Sequence, residues 1–296
     1  MSQSRIHLHL AGPEASRIYD MLEALFEEDG YAISYFEVDQ DNPETTDWTI
    51  DIYMPDEDAQ SALSRAKDKL GSDGLGAALT LEKLGDEDWI AMSLEGLKPV
   101  KAGRFFVHGA HDSGKIPAGS VNIEIEAGQA FGTGHHGTTA GCLEALELLM
   151  RQRRFERIFD LGTGTGLLAI GLAKALRQPV LASDIDGISV DVARENAALN
   201  GVGSWVHVVE ATGVHHSKIR NNGPFDLIVA NILAGPLITM AGDIAGELMS
   251  GGSLVLSGIL QQQTNRVVAS YVANGLRLER QAFRDGWSTL TFRAPD

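Results

Sequence analysis

From about Asn122 onward the chain alternates short, continuously apolar runs with stretches whose apolar residues recur every three or four positions. "RIFDL" (157–161), "PVLASD" (179–184), "WVHVVE" (205–210), "DLIVAN" (226–231) and "GSLVLSG" (252–258) read as strands covered on both faces. Helical spacing fills the intervals at Leu167–Leu176, Ile188–Leu199, Pro236–Leu248 and Gln262–Asn274. Two last strands, "LRLERQAF" (276–283) and "WSTLTFRA" (287–294), are joined only by "RDG". That link is too short for a crossover helix, so they pair antiparallel. The pattern predicts an α/β fold: a doubly wound, Rossmann-like sheet of seven strands ending in an antiparallel hairpin, over residues 122–296.

Residues 1–84 follow a different rhythm. "RIHLHLAG" alternates like a half-buried strand, and a helix pattern from Glu14 to Glu28 puts Ile18, Leu22, Leu25 and Phe26 on one face. "YAISYFEVDQ" and "DWTIDIYMP" read as strands parted by the turn-rich "DNPETT". A second helix over Glu57–Leu70 and a strand "ALTLEKL" complete a strand–helix–strand–strand–helix–strand order, which predicts a smaller ferredoxin-like α+β domain. Residues 85–121 are rich in Gly and Pro, with short apolar islands such as "RFFVHG", and read as a connecting module.

Composition narrows the function. The 296 residues carry 24 Lys and Arg against 40 Asp and Glu, a formal charge of −16. Phosphates would be repelled on most approaches, so direct nucleic-acid binding is not expected, whereas a basic protein partner is compatible. The single cysteine, Cys142, excludes an intramolecular disulfide and a multi-thiolate zinc site. No stretch approaches the length of an apolar membrane span, and the N-terminal pattern is not that of a secretory signal. A cytoplasmic protein acting as a monomer, away from membranes, is the expectation.

The candidate chemistry starts at "RIFDLGTGTGLLAIGLA" (157–173), where an apolar strand breaks at Gly162, Gly164 and Gly166 and then resumes with helical spacing. Residues without Cβ let a ligand approach the main chain, and the helix start offers free N–H groups. Asp184 ends the next strand, where a carboxylate accepts hydrogen bonds from ribose hydroxyls. A dinucleotide fingerprint would need glycine where Leu167 stands, so a nicotinamide-dependent oxidoreductase is disfavoured. The G-x-G-x-G spacing favours S-adenosylmethionine.

Two further strings extend the picture: "QAFGTGHHGTTAGCLEAL" (129–146), ahead of the first strand of the sheet, and "VANILAGPL" (229–237), after the fourth. With "DLGTGTG" and "GGSLVLSGIL" they resemble the ribosomal protein L11 methyltransferase family, the PrmA type. The likeness runs from about Trp89 to the C-terminus and is densest from Gln129 to Leu260. The resemblance implies transfer of methyl groups from S-adenosyl-L-methionine to amines of that protein, on lysine side chains and the N-terminus, and makes residues 1–84 the substrate-recognising domain. It also implies cofactor contacts at Thr139, Gly162, Asp184 and Asn231. Phe131, Gly132 and Thr133 of the preceding loop are further candidate cofactor contacts, Phe131 either stacking on the ligand or packing the loop down. Two departures stand out: Glu126-Ala127 where the family has Asp-Pro, and Gly137 where it has proline, a change read as loosening the loop.

The acceptor amine needs a free lone pair, and roughly one lysine in 2,500 is neutral at pH 7. The Asn231 side-chain carbonyl, with the main chain of Ile232 or Leu233, is the candidate set for accepting amine hydrogens and aiming that lone pair, without a general base. His135 and His136 look like a metal pair, but neighbouring residues diverge and no carboxylate or thiol is close in sequence, so no metal is expected. A related lysine methyltransferase with another protein client, and a non-catalytic nucleoside-binding module, are the competing readings.

Overall fold

The computed structural model describes residues 3–11, 14–26, 29, 31–37, 47–71, 74–84, 99–125 and 136–296. Its contacts divide the chain into two compact units, Met1–Ala91 and Met92–Asp296.

The first unit has strands β1 (Gln3–Ala11), β2 (Ala32–Glu37), β3 (Asp47–Pro55) and β4 (Thr80–Leu84), with helices α1 (Ala15–Phe26) and α2 (Ala59–Leu70). The sheet order β2-β3-β1-β4, all antiparallel, is the ferredoxin-like arrangement expected from the sequence. Alternation along β1 and β3 buries Ile6, Leu8, Ile50 and Ile52 beneath Ile18, Leu22 and Phe26 of α1. On the opposite sheet face the His7 imidazole Nδ1 pairs with the Asp51 carboxylate at 2.7 Å.

The second unit begins with β5 (Val100–Ala102), β6 (Phe105–His108) and β7 (Val121–Glu124), a three-stranded sheet. The described part of the 85–121 connection is therefore folded. Lys174 donates to the Asn122 carbonyl (2.7 Å), and Asn200 donates to the Glu124 carbonyl (2.6 Å), tying this sheet to the larger body. Next come α3 (His136–Gln152), β8 (Ile158–Leu161), α4 (Leu167–Leu176), β9 (Val180–Asp184), α5 (Gly187–Leu199) and β10 (Val206–Glu210). They are followed by α6 (Ser217–Asn222), β11 (Phe225–Asn231), α7 (Ala234–Thr239), α8 (Ala241–Gly246), β12 (Leu248–Leu260), α9 (Thr264–Ala273), β13 (Arg277–Arg284) and β14 (Trp287–Arg293).

The seven strands lie in the order β10-β9-β8-β11-β12-β14-β13. The first five are parallel, and β14 runs antiparallel to β12 and β13. One apolar cluster, including Leu143, Ile158, Ile170 and Val229, fills one face under α3, α4 and α5. A second, including Phe159, Ile228, Leu254 and Tyr271, fills the other under α7, α8 and α9. The single helix expected over 236–248 is two short helices meeting at Met240, and Leu248 already begins β12. Helix α3 was not foreseen. Its residues from Gly137 to Leu143 are all buried, so it shows little polar face for a periodicity argument to find.

Candidate functional site

The chain moves from β8 outward through β9 to β10, then returns to place β11 on the other flank of β8. The order of strands reverses between β8 and β11, and beyond the carboxyl ends of such a switch point lies the usual ligand crevice of these sheets. The loop after β8 is the glycine turn, and the loop after β11 begins at Asn231.

The turn is fastened by its own main chain. Gly162 N–H and Thr163 N–H both donate to the Ser183 carbonyl (2.8 and 2.9 Å), and Gly166 N–H donates to the Thr163 carbonyl (2.9 Å). Gly162, Gly164 and Gly166 all have positive φ, +70°, +54° and +83°, so the glycines are required by conformation. The buried Asn196 amide donates to the Thr165 carbonyl (2.9 Å), pinning the turn to α5.

Two carboxylates meet the turn from below and beside it. Asp160, on β8, is buried, and its Oδ2 accepts from Thr163 Oγ1 (2.7 Å) and Ala169 N–H (3.0 Å). Among the described residues its buried Oδ1 has no partner. Burial pushes the Asp160 carboxyl up to about 7, helped by the charge of Asp184 and opposed by the bonds from Thr163 and Ala169. Asp184, at the end of β9, accepts Gly164 N–H on Oδ2 (2.8 Å) and Asp186 N–H on Oδ1 (3.1 Å). Each oxygen keeps a second acceptor site, so its aim is fixed while its capacity for further donors remains. Beside it, Ile185 is 68% exposed and Ile188 52% exposed, an uncovered apolar flank next to an acidic strand end.

Across the crevice Asn231 closes β11, level with Ser257 of β12. Its Nδ2 donates to Thr138 Oγ1 at 3.4 Å, and among the described residues nothing donates to its Oδ1. Ile232 packs on the second apolar cluster, while the Leu233 side chain is exposed and its carbonyl accepts Leu237 N–H (3.3 Å) as α7 begins. The only cysteine, Cys142, is fully buried and its thiol is pushed up to about 12 by that burial, so it offers no thiolate. Among the described residues no group of three or more His, Cys, Asp or Glu could hold a metal ion.

Comparison with known proteins bears on which ligand the crevice takes. Residues 5–295 match the family described as ribosomal protein L11 methyltransferase (PrmA). The chain belongs to that family. A curated ribosomal protein L11 methyltransferase of Rhizobium leguminosarum bv. trifolii is 48% identical over 295 residues, covering all of both chains. That of Mesorhizobium japonicum is 49% identical over 290 residues, 98% of this chain and 99% of its own. The crystal structure of a ribosomal protein L11 methylase from Lactobacillus delbrueckii subsp. bulgaricus superposes with a TM-score of 0.60 at 27% identity, covering 67% of this chain and 99% of that one.

Of the residues singled out in the sequence, Gly162, Gly164, Gly166, Asp184, Asn231, Ile232 and Leu233 lie at the carboxyl ends of β8, β9 and β11 or on the loops that leave them. Thr139 is buried in the first turn of α3, but it is its neighbour Thr138 that bonds Asn231. Phe131, Gly132, Thr133 and His135, with Glu126 and Ala127, lie outside the described residues. Gly137 is buried in the first turn of α3, where an added Cβ would stand 3.2 Å from the Arg284 carbonyl and 3.3 Å from the Trp287 ring of the hairpin; the loop it was expected to loosen lies outside the described residues. Sequence reading missed Ile185 and Ile188, which look like ordinary apolar residues, and Thr138. The available signal was an apolar residue directly after an acidic strand end, where the chain leaves the sheet.

Proposed function

We propose that this chain is an S-adenosylmethionine-dependent protein methyltransferase acting on amines of ribosomal protein L11, on lysine side chains and the N-terminal amine. The observation that carries the reading is the pairing, across one switch point, of a nucleoside-type half-site with a neutral acceptor at Asn231. The half-site offers a fixed carboxylate, Asp184, beside uncovered apolar side chains, Ile185 and Ile188. That donor set fits S-adenosylmethionine: ribose hydroxyls to the carboxylate, the purine face to the isoleucines. Gly162–Gly166 and Thr139 would line the methionine side; Phe131, Gly132 and Thr133, assigned to the same side from the sequence, lie outside the described residues. When bound, S-adenosylmethionine supplies a methyl group on a sulfonium, open to in-line displacement.

The protein's task is to hold a neutral amine on that line. Asn231 suits this because its Oδ1 is an uncharged acceptor. A carboxylate there would stabilise the ammonium and withdraw the lone pair. The bond to Thr138 holds the Nδ2 side of the amide and leaves Oδ1 for an amine hydrogen. Leu233 exposes its side chain beside it, an apolar surface for the aliphatic stem of a lysine. Orientation of two reactants is the main contribution asked of the site, and well-aligned pairs gain about 7–11 kcal/mol in this way.

The formal charge of −16 favours a basic client, and residues 1–84 are the candidate surface for recognising it. A ribosomal protein substrate implies a cytoplasmic site of action, with the chain working as a monomer. Incubation with radiolabelled S-adenosylmethionine and purified ribosomal protein L11, beside a whole-cell lysate, tests the client. Label on L11 alone supports the reading; label confined to another protein would assign the same chemistry to a different client.

A further inference from the structure

Ile232 is gripped from two sides by residues distant in sequence. Gly162, at the start of the glycine turn, has φ +70°, and a Cβ built there would overlap the Cγ2 methyl of Ile232. Gly258, on β12, has φ +79°, and a Cβ there would overlap the Ile232 carbonyl oxygen and stand 2.8 Å from its carbon and 3.0 Å from its nitrogen. Each glycine has a side-chain volume missing, and each missing volume is occupied by the same residue. The peptide of Ile232 rests on β12, and one methyl branch of its side chain fills the bare side of the turn after β8. Asn231 is the residue immediately before it, and among the described residues its side chain is tethered by its long bond to Thr138 alone.

We infer that Ile232 is a positioning residue: its Cγ2 branch, seated against Gly162, and its peptide, seated against Gly258, fix the Asn231 amide at the acceptor side of the crevice. The inference rests on the role of Asn231 proposed above. It gives the Ile232 side chain a part in methyl transfer that does not involve touching the amine. It also explains why the bare side of Gly162 is needed even before a ligand arrives: that space is taken by the loop across the crevice. The grip depends on branching at Cβ and not on bulk. Valine keeps the Cγ2 methyl in the same rotameric well, whereas leucine has the same volume but a single γ carbon.

The test compares Ile232→Val, Ile232→Leu and Ile232→Ala for turnover on ribosomal protein L11 and for calorimetric affinity towards S-adenosylhomocysteine. Ile232→Val is expected to keep turnover within about threefold, while Leu and Ala lose tenfold or more. All three should bind S-adenosylhomocysteine within about threefold of the parent, because the proposed ribose acceptor, Asp184, is held by Gly164 N–H and Asp186 N–H and not by Ile232. If leucine works as well as valine, the side chain is merely core filling and the inference is overturned. It is equally overturned if affinity falls in step with turnover, which marks general collapse of the crevice. Gly258→Ala should reproduce the leucine phenotype, with melting temperature recorded to show that the protein is folded. Failure of the underlying reading is distinguishable: Asn231→Ala would then retain turnover in the parent background.

Discussion

Replacing Asp184 by alanine removes the carboxylate proposed to hold the ribose. A hydrogen bond to a charged acceptor contributes about 1.5–3 kcal/mol, and two ribose hydroxyls would together lose at least about 3 kcal/mol. At 1.36 kcal/mol per factor of ten, that is a weakening of roughly 150-fold or more. The same carboxylate receives Gly164 N–H and Asp186 N–H, so the turn also loses two fasteners. Each costs about 1 kcal/mol of stability, less where water replaces the bond. Asp184→Asn separates the two effects. It keeps the shape and one acceptor oxygen, but its NH₂ must face one of two N–H donors. Affinity between those of the parent and the alanine variant is therefore expected. Calorimetric titration with S-adenosylhomocysteine reads all three proteins directly. Affinity of Asp184→Ala within threefold of the parent would refute the ribose role.

Asn231→Ala should reduce turnover on the protein substrate by at least about a hundredfold while the melting temperature stays close to the parent. Single-turnover kinetics check this, and normal turnover would remove Asn231 from the mechanism. Gly162→Ala should lower both stability and turnover, because its Cβ meets Ile232 at a positive φ; denaturant unfolding should show a loss of about 1 kcal/mol or more. Asp160 gives a pH signature. Its folded carboxyl titrates near 7 against an ordinary value of 3.8, so between those limits the folded state holds the extra proton. Its contribution is therefore fully present below about pH 4 and is lost as pH rises towards 7, up to about 4 kcal/mol in all. Asp160→Asn should flatten that fall in a series of urea titrations from pH 4 to 8. An unchanged slope would contradict the assignment.

The parts of the fold legible in the sequence were those whose physics is local. Strands buried on both faces must be continuously apolar, so β8 to β12 announced themselves, and "RDG" left the last two strands no pairing but antiparallel. Asp184 stood out as a carboxylate ending an apolar run, whereas Asn231 was marked by the resemblance of "VANILAGPL" to the family. What stayed hidden depends on packing from several directions. Helix α3 is enclosed on most sides, so its turns carry no amphipathic signature. Strands β5, β6 and β7 have three or four residues each, at or below the shortest length at which alternation can be recognised. The seat of Ile232 between Gly162 and Gly258 joins residues 70 and 26 positions apart in the chain, and only the strand order brings them together.

A crystal structure of the protein with S-adenosylhomocysteine bound tests the central claim most directly. The account predicts the ligand between the Gly162–Gly166 turn and Asn231, with both ribose hydroxyls on Asp184 and the purine against Ile185 and Ile188. Clear density for the ligand elsewhere, with this crevice left to solvent, would contradict it.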